Sequence, residues 1–503
     1  MKFKFLTASL IMVLISCSDS SNNLSMEINE PRPILDNIDT NSEIFYPNFD
    51  SQIYHYAAKC DSDITFSLNL FSDNQNKIYV NNKIVSINDA ILIEGLTLEK
   101  DIEIKVLNNA NQTTNYFIHC IDDKFIDINI AKSNDQYIDD GFFLISPRYN
   151  NENGIISHLI IFDSNEVPRF RKRINGAVTD FKIHKLSDTT LYSYAERTAK
   201  NLYGHWDYKI VLLNEFFQPI RELQTIGLNH TDNHDFLVTE DNTFILLSYN
   251  SIYRDFTPYG LTSNELTRDS VVQEIDLDGN LLLEWNSWDA VDINNCKQHR
   301  WPDDYAHINS ISISSDNNLV LSLRGCSQIL KIDRKTGETI WKLNGSDANF
   351  QIIGDPYKEF CGQHTASEIE NYLYIFDNGG HCLSDREELS GQFSRALVYE
   401  LNYESNKAEF LNDYSMNNTY VEYTVSGGSF FLTPNKNWLI NWSVRTGEMN
   451  TINEVTNEGE LISGIRLSKD GNPVRTYRAY KVNDIILPIN TNEYTRYVRF
   501  TYK

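Results

Sequence analysis

Five polar residues stand where an apolar segment begins or ends, and they are His234, His307, Asn309, Arg324 and His364. An arginine is always protonated and presents a planar fork of N–H donors, while imidazole and amide groups add further donors. Such a set suits the binding of an anion and the stabilisation of negative charge on its oxygens. A histidine with one deprotonated ring nitrogen can also act as a nucleophile or move a proton. These residue types therefore indicate an anion site with the means to do chemistry.

Each of these residues also has a purely structural interpretation. A partly buried histidine such as His364 often bonds only to backbone groups, and an arginine at a strand end such as Arg324 often forms a surface ion pair. His307 and Asn309 would simply be solvated if their strand end rises into a loop. The functional interpretation depends on all of these residues lying together in space.

The segment YAHINSISIS predicts a β-strand that opens with His307 and Asn309. Side chains alternate between the two faces of a strand, so we expect both residues on the face that carries Ile311 and Ile313. Three other segments place a polar residue at a strand end in a similar way, and they are TDNHDFLV with His234, LVLSLRGCSQ with Arg324 and CGQHTASEI with His364.

Six hairpin units follow one another from about Phe125 onward. The units are HLIIFDSNEVPRF, KIVLLNEFFQPIRELQ, VVQEIDLDGNLLLEW, QILKIDRKTGETIWKL, ALVYELNYESNKAEFL and the weaker EVTNEGELI. Their turns fall at Asp163, Asn214, Asp276, Asp333, Asn402 and Asn457. This repetition, with almost no helical periodicity, predicts a β-propeller of about six blades; a two-sheet sandwich is the alternative, but it would not explain the repeats.

The chain before these units divides into further segments. Residues 44–122 contain short strands such as ITFSLNL and IEIKVL between polar turns, which is typical of a small β-sandwich. Residues 17–43 are polar and predict a flexible stalk, with no packed structure before about Ile44. The predicted fold class is all-β, with a six-bladed β-propeller over residues 123–503 preceded by this small N-terminal β-sandwich domain.

Residues 1–16 are typical of a signal peptide, because Lys2 and Lys4 precede an apolar run too short to span a bilayer. The four residues LISC resemble a bacterial lipobox, after which Cys17 would carry acyl chains that anchor the protein to a membrane. An ordinary signal peptide with an incidental Cys17 is the alternative. We expect a protein of the periplasm or the cell surface, lipid-anchored to a bacterial membrane.

Six further cysteines are an even count, which suggests disulfides in an exported protein. Their order favours the pairs Cys60–Cys120, Cys361–Cys382 and Cys296–Cys326, with free buried thiols as the alternative. The formal net charge of −25 repels nucleic acid and anionic lipid, so we expect neither as a partner. A small anion can still bind in a local cationic pocket, since surface charge is screened beyond ~8 Å at physiological salt.

The sequence resembles the bacterial arylsulfate sulfotransferase family over most of its length. The segments that carry the resemblance are TDNHDF, HINSI followed by SLRG, QILKIDRKTGETIWKLNG, the QH of CGQHTA, IFDNG and SRALVYEL. The resemblance implies a periplasmic, six-bladed propeller that moves a sulfuryl group from a phenolic sulfate ester to a phenolic acceptor. It also implies a ping-pong mechanism through a sulfated histidine, with no nucleotide sulfate donor and no cofactor.

Carried over by motif, His364 matches the histidine that is sulfated. His307, His234 and Arg324 match catalytic residues around the sulfuryl group, and Asn309 matches a substrate-binding residue. Ser426, Ser429 and Arg445 of the last repeat have no match and stay unassigned. A homodimer is a possible assembly of such a protein.

The sequence also permits other interpretations of its function. His230 and His234 with Asp232 between them could suggest a metal pair, but we expect no metal site. No histidine is followed by glutamate and no glycine precedes a lysine, so zinc-protease and P-loop motifs are absent from the sequence. The main alternative is a non-catalytic propeller lipoprotein that binds carbohydrate or a protein partner. A sulfotransferase with a non-phenolic acceptor, such as a sugar hydroxyl, is a third interpretation.

Overall fold

The computed structural model describes most of the chain, and it is nearly all β. The described residues are 32–60, 66–71, 75–86, 90–133, 140–152, 154–202, 205–297, 301–380, 382, 393–416, 423–443 and 450–502. The predicted signal peptide and Cys17 lie outside them. Within these ranges no helix has the length and hydropathy needed to cross a membrane.

The first part of the described chain forms two sheets. Its strands are β1 (Asn37–Thr40), β2 (Phe45–Tyr46), β3 (His55–Lys59), β4 (Phe66–Phe71), β5 (Lys77–Val80), β6 (Lys83–Val85), β7 (Ile91–Ile93), β8 (Asp101–Leu107) and β9 (Thr113–Ile121). One sheet has the order β1-β4-β7 and the other β2-β3-β9-β8-β5-β6. Apolar side chains from both sheets, such as Leu68 and Ile104, share one buried cluster.

The middle of the chain supplies strands to six further sheets. They begin with β10 (Asp127–Lys132), β11 (Phe142–Ile145), β12 (Arg148–Asn151), β13 (Gly154–Asp163), β14 (Pro168–Asn175), β15 (Val178–Lys185), β16 (Thr190–Leu202), β17 (His205–Leu213), β18 (Pro219–Leu223), β19 (Phe236–Val238), β20 (Phe244–Arg254), β21 (Glu265–Ile275) and β22 (Leu281–Asn286). A short helix, α1 (Ser287–Ala290), follows β22, and single 3-10 turns cover Thr257–Tyr259, Ile293–Cys296 and Arg324–Cys326.

The remaining strands complete these sheets and add a C-terminal hairpin. They are β23 (Ile308–Ile313), β24 (Leu319–Leu323), β25 (Gln328–Ile332), β26 (Thr339–Leu343), β27 (Gln351–Ile353), β28 (Thr365–Ile369), β29 (Tyr372–Asp377), β30 (Arg395–Asn402), β31 (Lys407–Ser415), β32 (Ser429–Leu432), β33 (Trp438–Asn441), β34 (Ile452–Val455), β35 (Leu461–Lys469), β36 (Asn472–Pro473), β37 (Ala479–Val482), β38 (Asp484–Asn490) and β39 (Thr495–Thr501).

Four of the six sheets are built from consecutive antiparallel strands: β15 to β18, β19 to β22, β23 to β26, and β28 to β31 with β27 added parallel at its edge. The other two sheets each combine strands from the beginning and from the end of the region β10 to β37. Strand β37 pairs with β11 in the sheet of β11 to β14, and β10 pairs with β35 in the sheet of β32 to β36. Strands from opposite ends of the region thus share hydrogen bonds, which ties those ends together.

Each of the six sheets has one edge strand, called here its first strand, and these are β15, β19, β23, β28, β32 and β37. The first strands are linked to one another by hydrogen bonds from a backbone N–H to a side chain of the neighbouring sheet. The N–H donors and side-chain acceptors are Ile311 to Asp235 (2.8 Å), Ala366 to Ser310 (3.2 Å), Phe430 to Thr365 (3.1 Å) and Ala479 to Ser429 (3.5 Å). Two further bonds, from Tyr480 to Asp180 (2.7 Å) and from Lys182 to Asp235 (2.6 Å), complete a closed circuit of first strands.

The predicted hairpins are present in the structure. Each predicted turn residue lies at or beside the connection between two adjacent antiparallel strands, which are β13 and β14, β17 and β18, β21 and β22, β25 and β26, β30 and β31, and β34 and β35. The three predicted disulfides are also confirmed, and they join Cys60 to Cys120, Cys296 to Cys326 and Cys361 to Cys382.

Two expectations about the ends of the folded region were wrong. Packed structure begins before Ile44, because Leu35 is buried and β1 already pairs with β4 from Asn37 onward. At the other end, the propeller was expected to extend to residue 503. Strands β38 and β39, however, join none of the six sheets within the described chain. This hairpin packs on the N-terminal region, where the backbone N–H of Asn490 donates to the carboxylate of Asp101 (2.7 Å).

A chain of buried hydrogen bonds joins the N-terminal sheets to β14. Arg169 donates to Nε2 of His55 (2.8 Å), Nδ1 of His55 donates to Nε2 of His119 (3.0 Å), and Nδ1 of His119 donates to Asp101 (2.8 Å). With both rings neutral, each of these three bonds joins one donor to one acceptor; an added proton on Nε2 of either ring would set two donors against each other. Burial lowers the pKa of His119 to about 4, outweighing the raising effect of Asp101.

This series of hydrogen bonds from Arg169 to Asp101 predicts a loss of stability in mild acid. The unfolded protein protonates His119 near its ordinary pKa of 6.5, whereas the folded protein resists protonation down to about 4. The stabilising contribution is therefore complete above pH 6.5 and is lost as the pH falls toward 4, by up to about 3 kcal/mol. Urea unfolding followed by tryptophan fluorescence at a series of pH values would measure it. In His119→Gln this part of the pH dependence should disappear; an unchanged dependence would contradict the assignment.

Candidate functional site

The candidate residues lie at one end of the circuit of first strands. His307 and His364 immediately precede β23 and β28, and His234 lies two residues before β19. Arg324 follows the end of β24, which runs antiparallel to β23, so it emerges at the same end as His307. The structure thus brings the four residues to the same edge of neighbouring sheets, as the segment positions predicted.

The predicted alternation along YAHINSISIS was wrong at its start. The pairing of β23 with β24 shifts register between Ile308 and Ser310, which places an extra residue in a β-bulge. As a result Ile308, and not Asn309, shares the apolar cluster of Ile311. The amide of Asn309 instead donates to the carbonyl of Gln363 (2.6 Å), the residue before His364. Asn309 therefore supports the strand end that carries His364.

A glycine allows the segments HINSI and SLRG to lie against each other. A Cβ atom on Gly325 would lie 2.0 Å from the carbonyl oxygen of Tyr305, so only glycine fits. The N–H of Arg324 donates to the carbonyl of His307 (3.0 Å), and the N–H of Gly325 to that of Ala306 (2.9 Å). His307 has a φ of +48°, which turns its backbone toward these donors. This contact fixes His307 and Arg324 relative to each other.

The proton on His364 can be assigned from its neighbour Asn378. The side-chain NH₂ of Asn378 donates to the carbonyls of Thr424 (2.8 Å) and Gly427 (3.1 Å). Its oxygen therefore faces Nδ1 of His364, 2.6 Å away, and an oxygen can only accept. Nδ1 of His364 must carry a hydrogen, and in a neutral ring the lone pair is then on Nε2.

His364 is kept neutral by its surroundings. The side chain is buried, and this burial lowers its pKa well below the ordinary value. The positive charge of Arg324 lowers the pKa further, while the bond to Asn378 opposes the shift. Arg324 and Asn378 also contact the same segment, since Arg324 donates to the carbonyl of Val425 (3.1 Å), next to Thr424. An unprotonated imidazole next to a guanidinium suits nucleophilic attack on an anion.

The other two histidines are each bonded to a carboxylate. Nδ1 of His234 lies 2.6 Å from Asp232, and Nδ1 of His307 lies 2.5 Å from Asp304. Asp232, which lies between His230 and His234 in the sequence, is thus the partner of His234. Each carboxylate holds the Nδ1 hydrogen and leaves Nε2 to exchange a proton or to contact a bound group. The rings of His234 and His307 lie edge to face, with centroids 5.1 Å apart.

Two tyrosines line the space between the histidines. Tyr477 lies edge-on to both His234 and His364, at centroid distances of 5.8 and 6.5 Å. Tyr249 stacks near His234 at 5.4 Å and lies 5.3 Å from His307. These rings hold the imidazoles in place and give the site aromatic walls.

The sequence did not reveal several of these supporting residues. Asn378 was present in the segment IFDNG, but the carbonyls that orient it come from a distant loop. Asp232 and Asp304 were visible only as carboxylates two and three residues from a histidine. Of the unassigned residues, Ser429 accepts from the N–H of Ala479, and Arg445 lies outside the described residues. Ser426 is partly exposed near the carbonyl that Arg324 binds.

Comparison with known families identifies the family to which the chain belongs. The family model described as arylsulfotransferase (ASST) matches residues 182–466, more than half of the chain and a range that contains the candidate site. The chain belongs to the arylsulfotransferase family. Membership in the arylsulfotransferase family supports a sulfotransferase enzyme that uses an aryl sulfate donor and an acceptor. The resemblance stated from the sequence motifs is thereby confirmed.

Solved structures show more distant similarity. A protein of unknown function from Bacteroides caccae is 10% identical, with a TM-score of 0.41; the match covers 68% of this chain and 99% of that one. A catalytically inactive virginiamycin B lyase from Staphylococcus aureus with quinupristin is also 10% identical, with a TM-score of 0.31 and coverage of 75% and 89%. These values carry no statement about function. A search of curated proteins finds no match.

The contact at Gly325 predicts a strong effect of a small substitution. Gly325→Ala places a methyl group against the Tyr305 carbonyl and should lower the free energy of unfolding by about 3 kcal/mol. The matched control is Gly279→Ala, which has a φ of +84° but nothing within 4 Å and should cost only about 1 kcal/mol. Urea unfolding of both variants measures the difference. Equal losses in the two variants would show that the close contact is not needed.

Proposed function

We propose that the protein is an arylsulfate sulfotransferase that moves a sulfuryl group from a phenolic sulfate ester to a phenolic acceptor through sulfohistidine at His364. The observation that carries this proposal is the fixed tautomer of His364. Asn378 holds the Nδ1 hydrogen, so the lone pair of a buried, neutral imidazole is on Nε2. A histidine prepared in this way next to Arg324 is what the two-step reaction requires.

In the first step Nε2 of His364 attacks the sulfur, the new N–S bond forms and the S–O bond to the aryl group breaks. The leaving phenolate keeps the bonding electrons and takes a proton from Nε2 of His234 or His307. In the second step the oxygen of the acceptor phenol attacks the sulfur and the N–S bond breaks. The phenol proton returns to the imidazole that gave one up, so protons and charge balance over the cycle.

The charged groups of the site match the transition state of this reaction. By analogy with phosphoryl transfer, a sulfuryl group passes through a loose transition state, with charge on its outer oxygens and on the leaving oxygen. Arg324 provides a permanent positive charge for the outer oxygens. The Asp232 and Asp304 carboxylates accept the Nδ1 hydrogens of His234 and His307, which fixes the orientation of both rings.

We also infer that the six sheets are the blades of a β-propeller, and that the two N-terminal sheets form a β-sandwich. The closed circuit of first strands and the pairing of β37 with β11 support the first inference. The shared apolar cluster of the N-terminal sheets supports the second. The sandwich then extends from about Leu35 to Ile121, and the propeller from β10 to β37, with β38 and β39 outside its six sheets. Export and lipidation at Cys17 remain part of the proposal; three disulfides fit an oxidising compartment.

Turnover of a chromogenic aryl sulfate tests the proposed function. Purified protein with 4-nitrophenyl sulfate and phenol should release 4-nitrophenolate, and without phenol His364 should gain a sulfuryl group detectable by peptide mass spectrometry. His364→Asn should abolish both signals, because an amide cannot act as the nucleophile. His184→Asn, which changes a buried histidine elsewhere, should retain them. A wild-type protein with neither signal would favour the non-catalytic binding protein instead.

The role of Asn378 predicts a shift in the pH profile. Asn378→Asp keeps an oxygen acceptor for Nδ1 but adds a negative charge, which raises the pKa of His364. More of the ring is then protonated at neutral pH, so the acid limb of kcat/KM should move up by about one pH unit or more. Asn378→Ala should lower kcat without this upward shift. Superimposable profiles for wild type and Asn378→Asp would exclude a direct effect of Asn378 on His364.

A further inference from the structure

The side chain of Gln363 is buried beside the site, and the proposed sulfuryl transfer does not use it. Gln363 directly precedes His364 in the segment CGQHTA, and its side chain is fully buried. A buried amide is normally held by hydrogen bonds, so the partners of this one show what it does in the fold.

The orientation of this amide follows from its neighbours. Nε2 of Gln363 lies 3.3 Å from the carbonyl oxygen of Leu323 and 3.0 Å from that of Gln328. Carbonyl oxygens can only accept, so the NH₂ group faces them and donates one hydrogen to each. Oε1 has no hydrogen-bond partner among the residues that the structure describes. The hydrogen bonds of this side chain are therefore made by its two N–H groups.

The two carbonyls lie at the two ends of the turn that carries Arg324. Leu323 ends β24 and Gln328 begins β25, and Arg324 lies in the short turn between them. The same turn is contacted a second time, because the backbone N–H of Gly362 donates to the hydroxyl of Ser327 (3.2 Å). The segment that leads to the nucleophile thus holds both ends of this turn.

The backbone of Gln363 extends these contacts to the end of a third strand. Its carbonyl accepts from the amide of Asn309 (2.6 Å), at the start of β23. The N–H of Arg324 in turn donates to the carbonyl of His307 (3.0 Å), just before β23. Each pair among the ends of β23, β24 and β28 is therefore joined by a hydrogen bond, and Gln363 takes part in two of these three connections.

We propose that Gln363 is a positioning residue that holds the guanidinium of Arg324 in place relative to Nε2 of His364. The assignment rests on the proposed function for the roles of these two groups. Gln363 does not contact the sulfuryl group, and it acts through the turn that carries Arg324. Without its two N–H donors the turn loses this restraint, so the cation and the nucleophile no longer meet one sulfuryl group in the productive geometry.

Gln363→Met tests the proposal, because methionine is also unbranched but has no N–H donors. The kcat/KM for 4-nitrophenyl sulfate with phenol should fall about 10- to 100-fold, as expected for a misplaced catalytic group. Gln363→Asn, whose amide is one methylene shorter, should act in the same direction and serves if the methionine variant does not fold. An unchanged kcat/KM in a folded variant would overturn the proposal.

The matched control is Thr243→Val. Thr243 is buried in the turn between β19 and β20, at the end of β19 opposite to His234, and bonds to Glu274 and Arg334. Both variants lose buried hydrogen bonds, so both should unfold at lower urea concentration than wild type. Only the Gln363 variant should lose activity.

A double-mutant cycle shows whether Gln363 acts through Arg324. In a protein that already carries Arg324→Gln, the further change Gln363→Met should alter kcat/KM less than about threefold, since the group that it positions is absent. A general weakening of the fold would instead have its full effect in both backgrounds. The full loss in the Arg324→Gln background would therefore contradict the assignment.

Binding measurements separate failure of this proposal from failure of the proposed function. Calorimetry with 4-nitrophenyl sulfate on proteins that carry His364→Asn measures affinity without sulfuryl transfer. Gln363→Met should weaken this binding about tenfold when Arg324 is present and leave it unchanged in Arg324→Gln.

The combined outcomes differ. This coupling in binding, found in a protein that transfers no sulfuryl group, supports positioning by Gln363 and contradicts the proposed function. Normal turnover and normal affinity in Gln363→Met overturn the positioning role and leave the sulfotransferase intact. A wild-type protein that neither binds nor turns over the ester contradicts both.

Discussion

A buried ion cluster beneath the histidines fixes the strand ends on which the site depends. The carboxylate of Asp235 accepts from Lys182 (2.6 Å) and Arg478 (2.9 Å), and its second oxygen accepts from the N–H of Ile311 (2.8 Å). Burial raises the pKa of Asp235, but the two cations outweigh it and hold the pKa below its usual range. Removing one partner of such a cluster leaves a buried charge and costs about 3–5 kcal/mol.

This cluster reaches the site through adjacent residues. Asp235 follows His234, and Arg478 follows Tyr477 and donates to the carbonyl of Asn309 (3.0 Å). Three strand ends are therefore fixed by the same charges. On the far side, Asp377 plays a similar part, since it binds the buried Arg395 (2.9 Å) and lies next to Asn378. Charge is used for support, while the group that directly contacts the nucleophile is a neutral amide, which adds no negative charge that would favour protonation of the imidazole.

The hairpins and the polar strand ends could be predicted from the sequence because their signals are local. A turn of Asp, Asn or Gly between two apolar runs specifies a hairpin without reference to the rest of the chain, as at Asp163 and Asp333. The bulge at Asn309 and the early start of packing at Leu35 could not be predicted from the sequence. Each depends on backbone or apolar partners far away in the sequence.

The sequence by itself thus determined the all-β character, the six hairpins and the residue types of an anion site, and it favoured the cysteine pairs without fixing them. Only the tertiary structure decided the chemical state of that site. The lone pair of His364 is on Nε2 because carbonyls of Thr424 and Gly427 orient Asn378, and those carbonyls belong to a loop that is distant in the sequence. Proton positions follow from contacts between distant backbone segments, and no local pattern in a sequence records them.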